Sequence, residues 1–315
     1  MKRGLLNQML SGKSPETVVL KRTIKKVAKL RDNVLIVGEL GTGKTLVARL
    51  IHELSDGKNR PFVTINCPAV GETITEQDLL GEIIQEGESV KEKTGLLENA
   101  NGGTLFLRYV EKLKPEFQDK IYSIISEKKI LKPGASEPIE VNFRVISSAQ
   151  SDPIGWQDDI PFSKPLYQEL AKLKIFIPAL RERKQDVPYL FSFFLEKYCK
   201  EFGKPEPSIP YEIMEAIMDY DWPGNIGELE NCVKNLVSLS PQGKLSAEYL
   251  PMKLRKHPFE LLDFDALPTA VQELEKFILR KALSKFEGNF SRIARFLRVS
   301  ESTVRYKVKK YGLEH

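Results

Sequence analysis

The sequence predicts an α/β protein whose parallel sheet carries a phosphate-binding loop, with a helical subdomain beside it and an all-α domain at the C-terminal end. Three observations predict this. Residues Gly38, Glu39, Leu40, Gly41, Thr42, Gly43, Lys44 and Thr45 fit the pattern G-x-x-x-x-G-K-[ST] at every fixed position. They lie between an apolar run at 33–37 and a segment with helical spacing at Leu46, Val47, Leu50, Ile51 and Leu54. Apolar, β-branched runs then alternate with helical segments as far as residue 185, the pattern of parallel strands covered on both faces. Beyond residue 268 the chain reads instead as three helices, the last two joined by a tight break.

Residues 1–31 form a polar, basic lead-in with helical character at 16–30, and no sensory domain is expected ahead of it. Further strands are expected at 61–67, 102–107, 141–148 and 173–178, separated by helices such as 115–127. The loop should then lie at the carboxyl ends of the strands. Its glycines let successive backbone N–H groups face phosphate oxygens, and the helix N-terminus adds partial positive charge. The nucleotide is ATP or ADP; Lys44 is expected to reach the β phosphate, and the γ phosphate where there is one, and Thr45 to ligate Mg²⁺. From 186 to 252 strands give way to helices at 187–201, 211–220 and 225–239, with Asn225 expected as an N-cap after the Pro223-Gly224 turn. Two prolines and mixed charge mark 253–268 as a linker. The expected division is an α/β subdomain at 1–185, a helical lid at 186–252, the linker, and a DNA-binding domain at 269–315.

The 315 residues carry a net charge of +5, unevenly placed: nine Lys or Arg and three Glu fall within 281–315, which holds +6 and leaves −1 for the rest. A basic end on a near-neutral body points to nucleic acid. No apolar run approaches the roughly 20 residues of a membrane helix, and no signal-length apolar core follows the N-terminus, so a cytoplasmic protein is expected. Cys67, Cys199 and Cys232 are far apart, lack metal-ligand spacing and are expected as buried thiols.

In the terminal domain Leu274, Phe277, Ile278 and Ala282 share a helix face, and Ile293, Ala294 and Leu297 mark a second, shorter helix. Ser300 can cap a third helix that turns Val304 and Val308 inward and leaves Ser302, Thr303, Arg305, Tyr306 and Lys309 outward, with Gly312 closing it. This is a helix-turn-helix pattern. Its second helix would enter the major groove of double-stranded DNA, with Ser302, Arg305, Tyr306 and Lys309 near base edges or phosphates and Lys307 and Lys310 on the backbone. A three-helix protein-interaction module with a basic face is the alternative. Leu274, Phe277 and Ile278 suit either a dimer face or the interior of a monomer.

Taken together these motifs resemble the bacterial enhancer-binding proteins, AAA+ ATPases that activate sigma-54-dependent transcription and end in a Fis-type helix-turn-helix. The resemblance rests on Gly38 to Lys44, on 62–67 and 102–107, on Pro178-Ala179-Leu180-Arg181-Glu182-Arg183 with Asp186-Val187-Pro188, on Asp221-Trp222-Pro223-Gly224-Asn225 with Glu228-Leu229-Glu230-Asn231, and on 289–313. It implies an ATPase that assembles as a ring, with Fis-like dimers at its end. It also exposes departures. Where the family has Asp-Glu after the third strand, to hold Mg²⁺ and polarise the attacking water, this chain has Arg108 and Tyr109. An arginine does not ligate a metal, and a tyrosine is a poor base near neutral pH. Glu111, three residues past the strand end, is not expected to reach. Within 162–170 Ser163 and Glu169 replace the trans-acting arginines, Gly227 replaces the lid's sensor arginine, and Ala149-Gln150 replace Thr-Asn. Asn66 remains, without the glutamate that it would switch. Residues 82–92 lack the G-A-F-T-G-A sequence through which the family contacts sigma-54 polymerase.

The sequence therefore favours a DNA-binding regulator that keeps a nucleotide site and has lost hydrolysis and direct sigma-54 remodelling, with Arg108 partly standing in for Mg²⁺. A functional ATPase in a ring, above all one mixed with an active paralogue, is the second reading. A protein whose sheet domain only recruits partners is the third.

Overall fold

The computed structural model describes residues 10–86, 89–152, 162–241, 244–255, 267–286 and 288–313. They belong to two compact units, Met1–Tyr249 and Leu250–His315.

The first unit opens with helix α1 (Pro15–Val27). Ser14 caps it by accepting the Thr17 amide, Pro15 occupies the first turn, and Lys25 and Lys26 lie in the last, where they complement the helix dipole. The strands in chain order are β1 (Val34–Val37), β2 (Phe62–Asn66), β3 (Gly81–Glu86), β4 (Ser89–Thr94), β5 (Thr104–Arg108), β6 (Lys129–Ile130), β7 (Ile139–Glu140), β8 (Arg144–Ala149) and β9 (Leu173–Phe176). Five of them form one sheet in the order β2-β5-β8-β1-β9, with every neighbouring pair parallel.

Alternation along the central strands divides the interior in two. Leu35, Val37, Leu105, Leu107 and Val145 face one core, together with helix α5 (Pro115–Glu127). Val34, Ile36, Phe106 and Ile146 face the other, with α1 and helix α2 (Lys44–Leu54). All four residues of β1 are buried, as the short apolar run implied. The sequence had suggested no strand at 81–94, where an antiparallel hairpin pairs β3 with β4 and sets Glu82 opposite Lys93 and Ile84 opposite Lys91. Opposite charges facing one another across a ladder stabilise such a hairpin.

Beside the sheet lie α7 (Val187–Glu201), α8 (Tyr211–Asp219) and α9 (Asn225–Leu239). Leu190, Phe191, Phe194, Leu195 and Tyr198 form the buried stripe of α7, and Leu229, Val233, Leu236 and Val237 that of α9. Trp222 is fully buried and donates its indole N–H to the Ile217 carbonyl at 2.9 Å.

In the second unit α10 (Leu267–Lys285), α11 (Phe290–Leu297) and α12 (Glu301–Lys310) enclose Leu279, Ala282, Ile293, Ala294, Val304 and Val308. Asn289 and Ser300 cap α11 and α12, and Arg298 takes the left-handed conformation (φ 55°) that stops α11. Gly312, with φ 62°, follows α12. The expected linker at 253–268 falls largely outside the described residues. Among those described, no helix is long and apolar enough to cross a membrane. The three cysteines are buried and form no disulfide.

Candidate nucleotide site and nucleic-acid interface

The loop from Gly38 to Thr45 joins β1 to α2 at the carboxyl ends of the parallel strands. Gly41 (φ 78°) and Gly43 (φ 101°) hold backbone angles that side chains resist, so the chain curls tightly into the helix. The Thr42 hydroxyl donates to the Glu39 carbonyl at 2.8 Å. Lys44 is 7% exposed, and its ammonium donates to the carbonyls of Gly38 and of Glu39, the latter at 2.8 Å. Burial pushes its pKa down; the Glu111 carboxylate opposes this and Arg108 adds to it. Thr45 is exposed at the start of α2, and Leu40 is exposed on the loop.

The lid and the segment leading into it reach this loop through four residues that the sequence did not single out in that role. Arg181 grips both Glu39 carboxylate oxygens, at 2.8 and 2.5 Å. Asn225 adds a bond to the same carboxylate at 3.2 Å and another to the Leu40 carbonyl at 2.9 Å, and accepts the Leu180 amide at 2.7 Å. These partners, Arg181 foremost, pull the Glu39 carboxyl down to about 2. Arg183, deeply buried, donates to the Thr42 carbonyl at 3.3 Å. The Gly224 carbonyl presses on Gly41, where an added Cβ would lie 2.2 Å from the oxygen. Asn225 was expected to cap α9; Gly224 occupies the cap instead, and Asn225 takes a left-handed backbone (φ 54°) and spends its amide on the loop. No local spacing announces these contacts, because their partners lie between 45 and 186 residues away.

At the strand ends Arg108 stacks over the Tyr109 ring at 5.2 Å and faces its hydroxyl at 3.4 Å. Tyr109 is left-handed (φ 55°) and starts the short 3-10 turn Val110–Lys112. That turn brings Glu111 back over the sheet. Its side chain is buried and accepts the Gln150 amide, just past β8, at 3.1 Å. Burial pushes the Glu111 carboxyl up, opposed by its own and the Gln150 backbone amides, then by Lys44 and Lys112. The reversal of the backbone at Tyr109 leaves Glu111 folded against the end of β8, on Gln150, rather than continuing outward from β5.

The other substituted positions hold structural partners. Ser163 caps helix α6 (Lys164–Leu170), and Glu169 accepts from Asn33 at 3.1 Å and from Lys172 at 2.6 Å. The Gly227 amide donates to the Gly41 carbonyl at 3.3 Å, so residue 227 faces the loop. Asn66 is exposed and in register with Arg108.

On α12, Ser302, Arg305, Tyr306, Lys309 and Lys310 are exposed, and Thr303 is half-buried. Ser302 and Thr303 share the capping hydroxyl of Ser300, at 2.8 and 2.7 Å. Arg305 leans on Glu301 at 2.7 Å and over the Phe290 ring at 4.7 Å. Lys307 differs from the others: it pairs with Glu275 of α10, whose other oxygen accepts the Tyr311 hydroxyl at 2.5 Å.

Three family models cover nearly the whole chain: a sigma-54 interaction domain at residues 10–176, an AAA+ ATPase lid domain at 181–263, and a Fis-family bacterial regulatory domain at 270–311. The chain belongs to the sigma-54-dependent transcriptional regulators. Among relatives of this family, the transcriptional regulatory protein ZraR of Escherichia coli K12 is 34% identical over 95% of the chain, which covers 68% of that protein. The signal-transduction and transcriptional-control protein of Clostridium beijerinckii is 32% identical over 96% of the chain and 48% of its own length. The chain spans about half the length of some of these regulators and about two thirds of others. The structure is similar to that of NtrX from Brucella abortus in complex with ATP, with a TM-score of 0.70 at 32% identity over 96% of this chain and 68% of that one. The NtrX structure in complex with ADP gives 0.69 at 31% identity.

Proposed function

We propose that this regulator binds double-stranded DNA through α12 and holds ATP or ADP in the Gly38 to Thr45 loop as a ligand that it does not hydrolyse. One observation carries the second half: Arg108 and Tyr109 stand at the end of β5, where the family places a metal-binding aspartate and a base. Lys44 and the loop amides supply a phosphate cradle, and the relatives solved with ATP and ADP support its use here. Gly227 faces the loop with no side chain to offer a phosphate, and Ser163 and Glu169 are engaged within their own subunit. Loss of an arginine finger alone costs about 10³ to 10⁵ in rate, which leaves turnover near background.

Calorimetry with ATP and ADP, with and without Mg²⁺, tests the ligand reading; no heat from either nucleotide at millimolar concentration removes it. ATP turnover by the purified protein, lost in Lys44→Ala, would restore the enzyme reading. In solution the protein is a cytoplasmic oligomer, either a dimer or ring of its own or a mixed ring with an active paralogue that supplies the missing groups. The hairpin at 81–94 lacks the aromatic contact sequence, so the protein makes no direct remodelling contact with sigma-54 polymerase.

A further inference from the structure

Glu111 poses a physical problem that its hydrogen bonds do not solve. One carboxylate oxygen accepts the Gln150 amide at 3.1 Å. The other, Oε2, is buried and has no hydrogen-bond partner among the described residues. The whole residue is only 7% exposed. A buried polar atom left unpaired costs about 1–3 kcal/mol, and more when charged, so it marks either strain or a missing partner. The Gln150 amide that holds Glu111 directly follows Ala149, whose carbonyl accepts the Gly38 amide at 3.2 Å. The orphaned oxygen therefore lies beside the start of the phosphate loop, at the carboxyl ends of β5 and β8, while the Lys44 ammonium is engaged by the Gly38 and Glu39 carbonyls.

Mg²⁺ is usually held by one or two carboxylates, by the phosphates it accompanies and by several waters, so one well-placed carboxylate suffices. Thr45, exposed at the start of α2, offers a hydroxyl as a further oxygen donor. Arg108 does not suit a cation, and it is turned onto the Tyr109 ring. We propose that Glu111 is the carboxylate through which this chain holds the divalent cation of a bound nucleotide, in place of the residue at the end of β5. The assignment rests on the nucleotide-binding reading above. It supplies no base: the cation is bound and the γ-phosphate stays intact.

The test uses the full chain, ATP, and either MgCl₂ or EDTA, read by calorimetry, with Mn²⁺ and electron paramagnetic resonance as a direct view of the metal. The wild type is expected to bind ATP ~10-fold more tightly with Mg²⁺ than in EDTA, the scale of a lost metal-site interaction. Glu111→Gln, which keeps the Gln150 bond, is expected to erase that gain, leave the affinity in EDTA undiminished, and lose the Mn²⁺ signal of the ternary complex. Should that variant not fold, Glu111→Asp is expected to weaken Mn²⁺ while leaving ATP binding in EDTA unchanged. Equal affinity in Mg²⁺ and EDTA, or a Mg²⁺ gain that survives in both variants, overturns the assignment while the nucleotide reading stands. No ATP binding by the wild type in either buffer overturns both.

Discussion

Lys44 braces the loop from within, whereas Glu39 ties the loop to Arg181 and Asn225. Lys44→Ala removes a charged donor with a buried stem, and the expected result is nucleotide binding weakened by about 10- to 100-fold, on the scale of a charge-assisted bond. Equilibrium titration with a fluorescent ATP analogue reads this directly. The Glu39 carboxyl is depressed from its ordinary 4.5 to about 2 by Arg181 and Asn225. Its stabilising share is therefore fully present above pH 4.5 and is lost as pH falls toward 2. The Tm difference between wild type and Glu39→Gln should hold constant near neutrality and shrink in acid. That difference will be small, because the side chains of both Arg181 and Glu39 are more than a third exposed. Asn225 is a different case, being fully buried. Asn225→Gly preserves the left-handed backbone but strands the buried Leu180 amide, at an expected cost of about 1–3 kcal/mol, measured by urea denaturation.

At the scale of elements, the helix-turn-helix was legible because its signals are local. Ser300 caps where its spacing said it would, Asn289 caps the helix before it, and Val304 and Val308 turn inward one helical turn apart. The exposure of Arg305, Tyr306 and Lys309 follows from the same period. Lys307 shows where the pattern falls short: its partner Glu275 lies 32 residues upstream on another helix, a pairing that no helical wheel of α12 contains. Two outcomes separate these roles. Arg305→Ala should cost about 1–3 kcal/mol on a specific site and relax sequence preference, whereas Lys309→Ala should weaken all DNA alike and lower the salt slope by about 1. Lys307→Ala should act mainly on the Tm of the domain. Binding isotherms on specific and random duplexes over a range of salt distinguish the three. The strands of the sheet were equally legible from their apolar runs, while the β3–β4 hairpin was hidden by its charge. The packing of Glu111 against Gln150 was hidden for another reason: counting residues past a strand end assumes that the chain continues outward, and Tyr109 turns it back.

For the whole molecule, a ligand that binds only the folded loop stabilises the unit that contains it. ATP at about 100 times its Kd should add about 2.7 kcal/mol to the unfolding free energy of the Met1–Tyr249 unit, followed by calorimetry. Because a side chain at residue 41 would collide with a main-chain oxygen of the lid, a library of variants selected only for folded, protease-resistant protein, with no nucleotide present, should discard every substitution there. Part of the motif's spelling is thus guarded by architecture rather than by chemistry. A lineage that had abandoned phosphate-bond cleavage would go on needing that glycine for as long as Gly224 packs against it.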